Sequence, residues 1–200
     1  MEAAKPAETP RCDWSAASAR RDDDWQRLRA LVRERAYERR EVTLASGRKS
    51  NFYVDGKQVT LDAEGARLMA AIILKGLEGQ PVDAIGGPTL GADPIAGAVI
   101  ALSAETPHPL KGFIVRKQPK AHGKQRQIEG PLKGGERVVV VEDVVTTGGS
   151  ILDAVKALED YGCRVTGIIV LVDRQEGGRE ALERDGYPVW ALMTRQEVEA

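Results

Sequence analysis

The stretch VVVVEDVVTTGGS, Val138–Ser150, constrains the fold of this chain more than any other. Its opening valines suit a strand buried on both faces, as in a parallel sheet covered by helices. Glu142 and Asp143 have no place in such a core unless something polar meets them. Thr146–Ser150 then bring hydroxyls and glycines, running into a helical pattern over 150–161. Free amides at a helix start, flanking hydroxyls and the helix dipole together make a cradle for a phosphate. Gly148 and Gly149 let the backbone approach it closely. Glu142 and Asp143 would repel that phosphate, but they can accept hydrogen bonds from sugar hydroxyls. The stretch therefore reads as a receptor for a ribose 5-phosphate, with acids on the diol and the loop on the phosphate. It is neither a Walker loop nor a G-x-G-x-x-G dinucleotide fingerprint.

The rest of the chain supplies the matching architecture. Residues 1–23 show no hydrophobic period and read as a mobile tail, with Trp14 as its one docking handle; 24–200 read as a single domain. A helix is expected from Asp24, capped by that residue, with Trp25, Leu28, Leu31 and Val32 on its apolar face. Strand-like pieces around a Ser-Gly turn follow. Asp62 is expected to cap a helix burying Leu68, Ile72 and Leu77. From there β-branched runs alternate with helices, which predicts an α/β fold with a central parallel sheet.

In such sheets ligands bind beyond the carboxyl ends of the strands. The expected strand ends here lead into Gly86-Gly87-Pro88-Thr89, into Arg116 and Lys117, into Glu142 and Asp143, and into Asp173 and Arg174. Each carries polar or glycine chemistry. The second of them opens a basic segment, RKQPKAHGKQRQIEG, with Arg116, Lys117, Lys120, His122, Lys124 and Arg126. A long polar loop inside a compact domain is usually functional. A cationic lid closing on an anionic substrate would exclude water and stabilise departing negative charge.

Composition removes other classes. The formal net charge of −1 argues against broad nucleic-acid binding, and scarce aromatics argue against a base-stacking platform. No segment approaches a membrane span or a signal-peptide core. Cys12 and Cys163 fit neither a zinc site nor a disulfide framework, which makes the cytoplasm the expected compartment.

Taken together, VVVVEDVVTTGGS resembles the phosphoribosyl pyrophosphate (PRPP) signature of type I phosphoribosyltransferases. LASGRKSNFYVDGK, RKQPKAHG and LVDRQEGG make the chain similar to the orotate phosphoribosyltransferases from about Leu44 to Gly178. The resemblance implies a five-stranded parallel sheet, a small hood (about 24–61) over a core (about 62–200), and a lid at about 117–133. It implies transfer of the phosphoribosyl group from PRPP to orotate with Mg²⁺, in a homodimer whose lid serves the partner's site. It gives Lys120 and His122 the catalytic positions and Arg116 and Lys117 the pyrophosphate. Glu142, Asp143, Val144, Val145, Thr146, Thr147, Gly148, Gly149 and Ser150 would hold the rest of PRPP. Thr146, Arg174, Phe52, Tyr53 and Lys57 would face orotate, and the guanidinium fork of Arg174 suits a carboxylate. Mg²⁺ would ride on substrate oxygens without dedicated protein ligands.

Two positions depart from the family pattern. Ala45 replaces a lysine before the Ser-Gly of the hood, and Gly91 stands where another lysine often follows the Gly-Pro turn. Arg48 and Lys57 are the candidate replacements. Three other readings stay open on sequence alone: a sister transferase for another base, a PRPP-sensing regulator without catalysis, and an RNA-binding cationic loop.

Overall fold

The structure, a computed structural model, describes residues 10–40, 42–43, 49–117 and 127–200. Its frame is one sheet of strands β5 (Ala84–Pro88), β6 (Lys111–Val115), β7 (Ile128–Glu129), β8 (Arg137–Val145), β9 (Arg164–Asp173) and β10 (Val189–Thr194). Their spatial order is β10-β9-β8-β5-β6-β7. Five of these strands are mutually parallel, as expected; β7 adds a sixth, antiparallel to β6 through Ile114↔Glu129 and Val115↔Ile128. Two residues are too few to leave an alternating pattern in the sequence, so this edge strand was not foreseen.

The valine run explains how β8 is held. Alternate side chains point to opposite faces of a strand. Val139 and Val141 enter one apolar core with Leu28, Leu68, Ile72, Ile95 and Leu171. Val138 and Val140 enter the other with Phe113, Ile151, Leu158, Ile168 and Leu182. All four valines are fully buried, each contributing roughly 1.5–3 kcal/mol of transfer free energy. A strand fixed on both faces gives the groups at its end a rigid mount.

Helices cover both faces: α1 (Ser15–Ala19), α2 (Asp23–Leu31), α3 (Lys57–Thr60), α4 (Ala63–Leu77), α5 (Ala92–Ser103), α6 (Gly149–Asp160), α7 (Gly178–Arg184) and α8 (Arg195–Glu199). A π-helical turn, Val32–Ala36, extends α2. Trp25, Leu28, Leu31 and Val32 are buried, as the helical period requires. The cap of α2 is Asp22 rather than Asp24: Asp22 Oδ1 accepts from the Trp25 amide at 3.1 Å. Asp24 instead accepts from Lys75 Nζ at 2.8 Å, tying α2 to α4. Asp62 caps α4 as expected, accepting from the amides of Glu64 and Gly65.

The expectation of a mobile tail over 1–23 is corrected for its described part. Residues 1–9 lie outside the described residues, but the chain from residue 10 onward is packed. The Cys12 amide donates to Thr166 O at 2.9 Å. Trp14 donates from Nε1 to Pro188 O at 3.0 Å and stacks on Trp190 with ring centroids 5.6 Å apart. The two rings occupy space that glycines leave: a Cβ at Gly167 would lie 2.6 Å from Trp14, and one at Gly76 would lie 2.3 Å from Trp190. α2, read from sequence as hood, likewise belongs to the body, with Trp25 Nε1 donating to Leu192 O at 2.6 Å.

Two small antiparallel ribbons stand apart from the main sheet. β1 (Tyr37–Glu38) pairs with β4 (Tyr53–Val54), and β2 (Val42–Thr43) with β3 (Lys49–Ser50). Among the described residues no helix is long and apolar enough to cross a membrane.

Candidate active site

Parallel pairing brings the carboxyl ends of β5, β6, β8 and β9 to one edge of the sheet. Pro88 pairs with Val115, and Val145 with Asp173. The four polar strand ends singled out in the sequence are therefore neighbours.

The acidic pair lies inside β8, whose ladder runs on to Val145 rather than stopping before it. Glu142 and Asp143 are both only 8% exposed. Burial, reinforced by the Asp143 charge, pushes the Glu142 carboxyl up to about 8. The Asp143 amide donates to Glu142 Oε1 at 3.2 Å. Two glycines roof the pair. A Cβ at Gly91 would fall 1.9 Å from Glu142 Oε1 and 2.5 Å from Asp143 Oδ1, and one at Gly56 would fall 2.8 Å from Asp143 Cβ. Position 91 is thus filled from the far side by carboxylates.

Lys57 reaches this pair. Its Nζ lies 2.8 Å from Asp55 Oδ1 and 3.3 Å from Asp143 Oδ2. Asp55, then Asp143, holds the ammonium above its ordinary range.

Beyond the acids the chain turns at Gly148, whose φ of +82° suits glycine, and enters α6. Gly148 has no side chain with which to cap the helix, so the first amides of α6 remain for a ligand. Thr147, Gly149 and Ser150 are exposed, Thr146 is half-buried, and Val145 is buried. The loop is braced by the start of α7: a Cβ at Gly178 would lie 2.6 Å from Thr146 O and 2.9 Å from the Gly148 amide.

The next strand end carries Arg174, whose amide donates to Val145 O at 3.1 Å. Its Nη2 donates to Phe52 O at 2.9 Å and lies 2.9 Å from Glu176 Oε1. Arg174 is 8% exposed. Asp173, also buried, is raised by burial and accepts from the Gln175 amide at 2.8 Å. Phe52 is fully buried, with Tyr37 at 5.1 Å between centroids and the Arg195 guanidinium 4.8 Å from its ring. Tyr53 is half-buried beneath Arg40, whose guanidinium lies 4.0 Å from the ring centroid.

At the end of β6, Arg116 and Lys117 are exposed. The Arg116 amide donates to Gln127 O at 2.9 Å, and its Nη1 lies 3.8 Å from Glu129 Oε1. The basic segment is thus pinned at its base. Lys120 and His122 lie outside the described residues, as do Ala45 and Arg48. Among the described residues no group of three or more His, Cys, Asp or Glu is placed to hold a metal.

The phosphoribosyl transferase domain model matches residues 57–188. The chain is 47% identical over 176 residues to the orotate phosphoribosyltransferase of Aquifex aeolicus, covering 86% of this chain and 96% of that one. The chain belongs to the orotate phosphoribosyltransferase family. It is also 42% identical over 186 residues to the enzyme of that name from Rhodopirellula baltica, covering 90% and 95% of the two chains. The crystal structure of Mycobacterium tuberculosis orotate phosphoribosyltransferase in complex with PRPP superposes with a TM-score of 0.73 at 32% identity, covering 91% of this chain and 95% of that one.

Within this family of transferases the site has features that the sequence reading missed. Glu176 as the ion-pair partner of Arg174 was not foreseen, although the alternation of acid and base in VDRQE hinted at it. Gly91 was read only as a missing lysine, whereas its close approach to Glu142 and Asp143 is what the fold uses. Asp55, the nearest partner of Lys57, was signalled only by its place in VDGK.

Proposed function

We propose that the protein transfers the 5-phosphoribosyl group from PRPP to orotate, giving orotidine 5′-monophosphate and pyrophosphate. The observation that carries this reading is the end of β8: a buried acidic pair followed directly by an uncapped, glycine-opened helix start. Acids for the ribose diol and amides for the 5′-phosphate stand in the order a phosphoribosyl group needs. Arg174, hydrogen-bonded to the last residue of that same strand, supplies the cation for the orotate carboxylate.

The chemistry follows from the charges. Displacement at the anomeric carbon builds positive charge on the ribose and negative charge on the leaving pyrophosphate. Glu142 and Asp143 stand on the sugar side. Arg116 and Lys117, at the end of β6, are assigned to the leaving side together with Lys120 and His122 of the lid, an order complementary to the transition state. Thr146, Thr147, Gly148, Gly149 and Ser150 hold the phosphate, with Val144 and Val145 as their mount. Phe52 and Tyr53 belong to the hood, which we assign to the ribbons and α3. With Phe52 fully buried, its contribution is to shape the hood and present its carbonyl to Arg174.

Mg²⁺ fits this site as an ion carried by the substrate. The acids offer hard oxygen ligands, but Asp143 already has Lys57 at 3.3 Å, and Mg²⁺ keeps several waters and favours phosphate oxygens. When bound, the ion neutralises charge on the pyrophosphate.

We also place the protein in a homodimer whose lids cross between subunits. Beside the lid base runs an apolar groove of about 730 Å³, bordered by Asp93, Ile100, Leu110, Phe113, Ile114 and Pro131. A second copy seated there would lie next to the segment it must receive. A cytoplasmic location goes with two free, buried cysteines.

The deciding assay mixes protein, PRPP, Mg²⁺ and orotate and follows orotate absorbance. PRPP-dependent loss of orotate is expected. Turnover of another base instead would move the assignment to a sister transferase, and PRPP binding with no turnover would make the protein a sensor.

A further inference from the structure

Lys57 sits where the hood meets the acids of the sheet. The turn Asp55-Gly56-Lys57 is seated on Asp143, since a Cβ at Gly56 would come within 2.8 Å of Asp143 Cβ. The backbone therefore fixes the place of Lys57, and the ammonium spans Asp55 Oδ1 at 2.8 Å and Asp143 Oδ2 at 3.3 Å. Its side chain is still 42% exposed, against 12% for that of Asp143. The lysine side chain thus remains partly open to solvent while the acid it meets is enclosed.

The incoming substrate changes the balance at this contact. On the transferase reading, Asp143 accepts a ribose hydroxyl, which draws its lone pairs from Lys57. The pyrophosphate of PRPP leaves from the adjacent ring carbon, so it arrives within reach of a lysine side chain rooted beside Asp143. Without a cation here, Asp55 and Asp143 would both face that polyanion and repel it. An ammonium is a compact charge on a flexible stem, suited to exchanging one oxygen partner for another.

We infer that Lys57 is a pyrophosphate-binding residue: it neutralises Asp143 in the empty site and passes to the pyrophosphate of PRPP when the ribose takes Asp143. It rests on the phosphoribosyl-binding reading of the end of β8.

The test is calorimetric, on Lys57→Ala, Lys57→Met and Lys57→Arg, with PRPP plus Mg²⁺ and with ribose 5-phosphate as separate titrants. Losing a charge-assisted contact should weaken PRPP binding roughly tenfold to a hundredfold. Ribose 5-phosphate, which lacks the pyrophosphate, should change by less than about threefold, and Lys57→Arg should recover part of the loss. A purely structural hood contact would move both titrants together or neither, and either result overturns the inference. Thermal melts of Lys57→Met, which keeps the stem, separate misfolding from lost contact. Wild-type turnover of orotate is read independently. If wild type binds PRPP but does not consume orotate, the proposed reaction falls while the role of Lys57 is still decided.

Discussion

Arg174 donates from Nη2 to the main-chain carbonyl of Phe52 at 2.9 Å, so one guanidinium joins the end of β9 to the β1–β4 ribbon. The residue assigned to the orotate carboxylate also holds the hood in place. Arg174→Ala is expected to raise the KM for orotate by about 10- to 100-fold, the scale of a hydrogen bond to a charged group. Arg174→Lys should restore the charge but not the fork, and so should recover little. Steady-state kinetics with orotate and PRPP varied separately check this: an equal rise in both KM values would mean general damage to the site.

Glu142 predicts a pH dependence of stability in the substrate-free protein. Its folded value of about 8 lies above its ordinary 4.5. Between those values the folded chain keeps a proton that the unfolded chain has lost, so stability falls as pH rises through the window. Below it both states are protonated and the group contributes nothing. Glu142→Gln should remove this slope and gain on wild type by on the order of a few kcal/mol at alkaline pH. Denaturant melts across the window give the answer; parallel curves for the two proteins would show that Glu142 does not hold the proton.

Gly91 has a sharper steric prediction. A methyl group there would strike the carboxylates of Glu142 and Asp143. Gly91→Ala should therefore displace the two acids assigned to the ribose and cost activity by more than about 10²-fold, since small displacements of positioned groups have effects of that size. Stability should fall by no more than about 1–3 kcal/mol, the scale of local overpacking. Activity within a few-fold of wild type would show that the acids move aside freely.

Trp14 makes the opposite kind of prediction. Its contacts with Pro188, Trp190 and Gly167 lie at the starts of β9 and β10, the far end of the sheet from the site. Trp14→Ala should destabilise the fold by about 3–5 kcal/mol and leave KM and kcat per folded molecule unchanged. Thermal melts and active-site titration together test it.

The crossing of the lid between subunits is tested by mixing. Lys120→Ala alone should slow turnover ~10²–10⁴-fold. Combined with inactive Asp143→Asn, it should recover up to roughly a quarter of wild-type activity, because half of the dimers then hold one intact site. No recovery after proven subunit exchange would mean that each lid serves its own chain.

These residues also show what a sequence discloses. The strand, acidic pair and glycine-opened helix start were legible because their signal is local: a buried valine run, two acids, then hydroxyls and glycines in one unbroken stretch. The parallel sheet was legible for the same reason, since its longer strands are local apolar runs separated by helical patterns, whereas the two-residue β7 and the short α1 leave no such trace. The packing of residues 10–22 was not, because it depends on Gly76, Gly167 and Trp190, distant in the chain and unremarkable singly. Gly91 was misread because its use depends on carboxylates arriving from another strand. The Asp22 cap lay two residues from the expected one in a run of three aspartates, where composition alone does not choose.

Gly178 leaves no room for a methyl group against Thr146 and Gly148, and the Arg174 amide bonds to Val145 O, so the loop before α6 and the segment from Arg174 to the start of α7 meet backbone to backbone. The two regions assigned above to opposite ends of a nucleotide are consequently braced against one another. On that assignment the pair works as a calliper does: a molecule too short or too long between its anionic ends would find only one jaw.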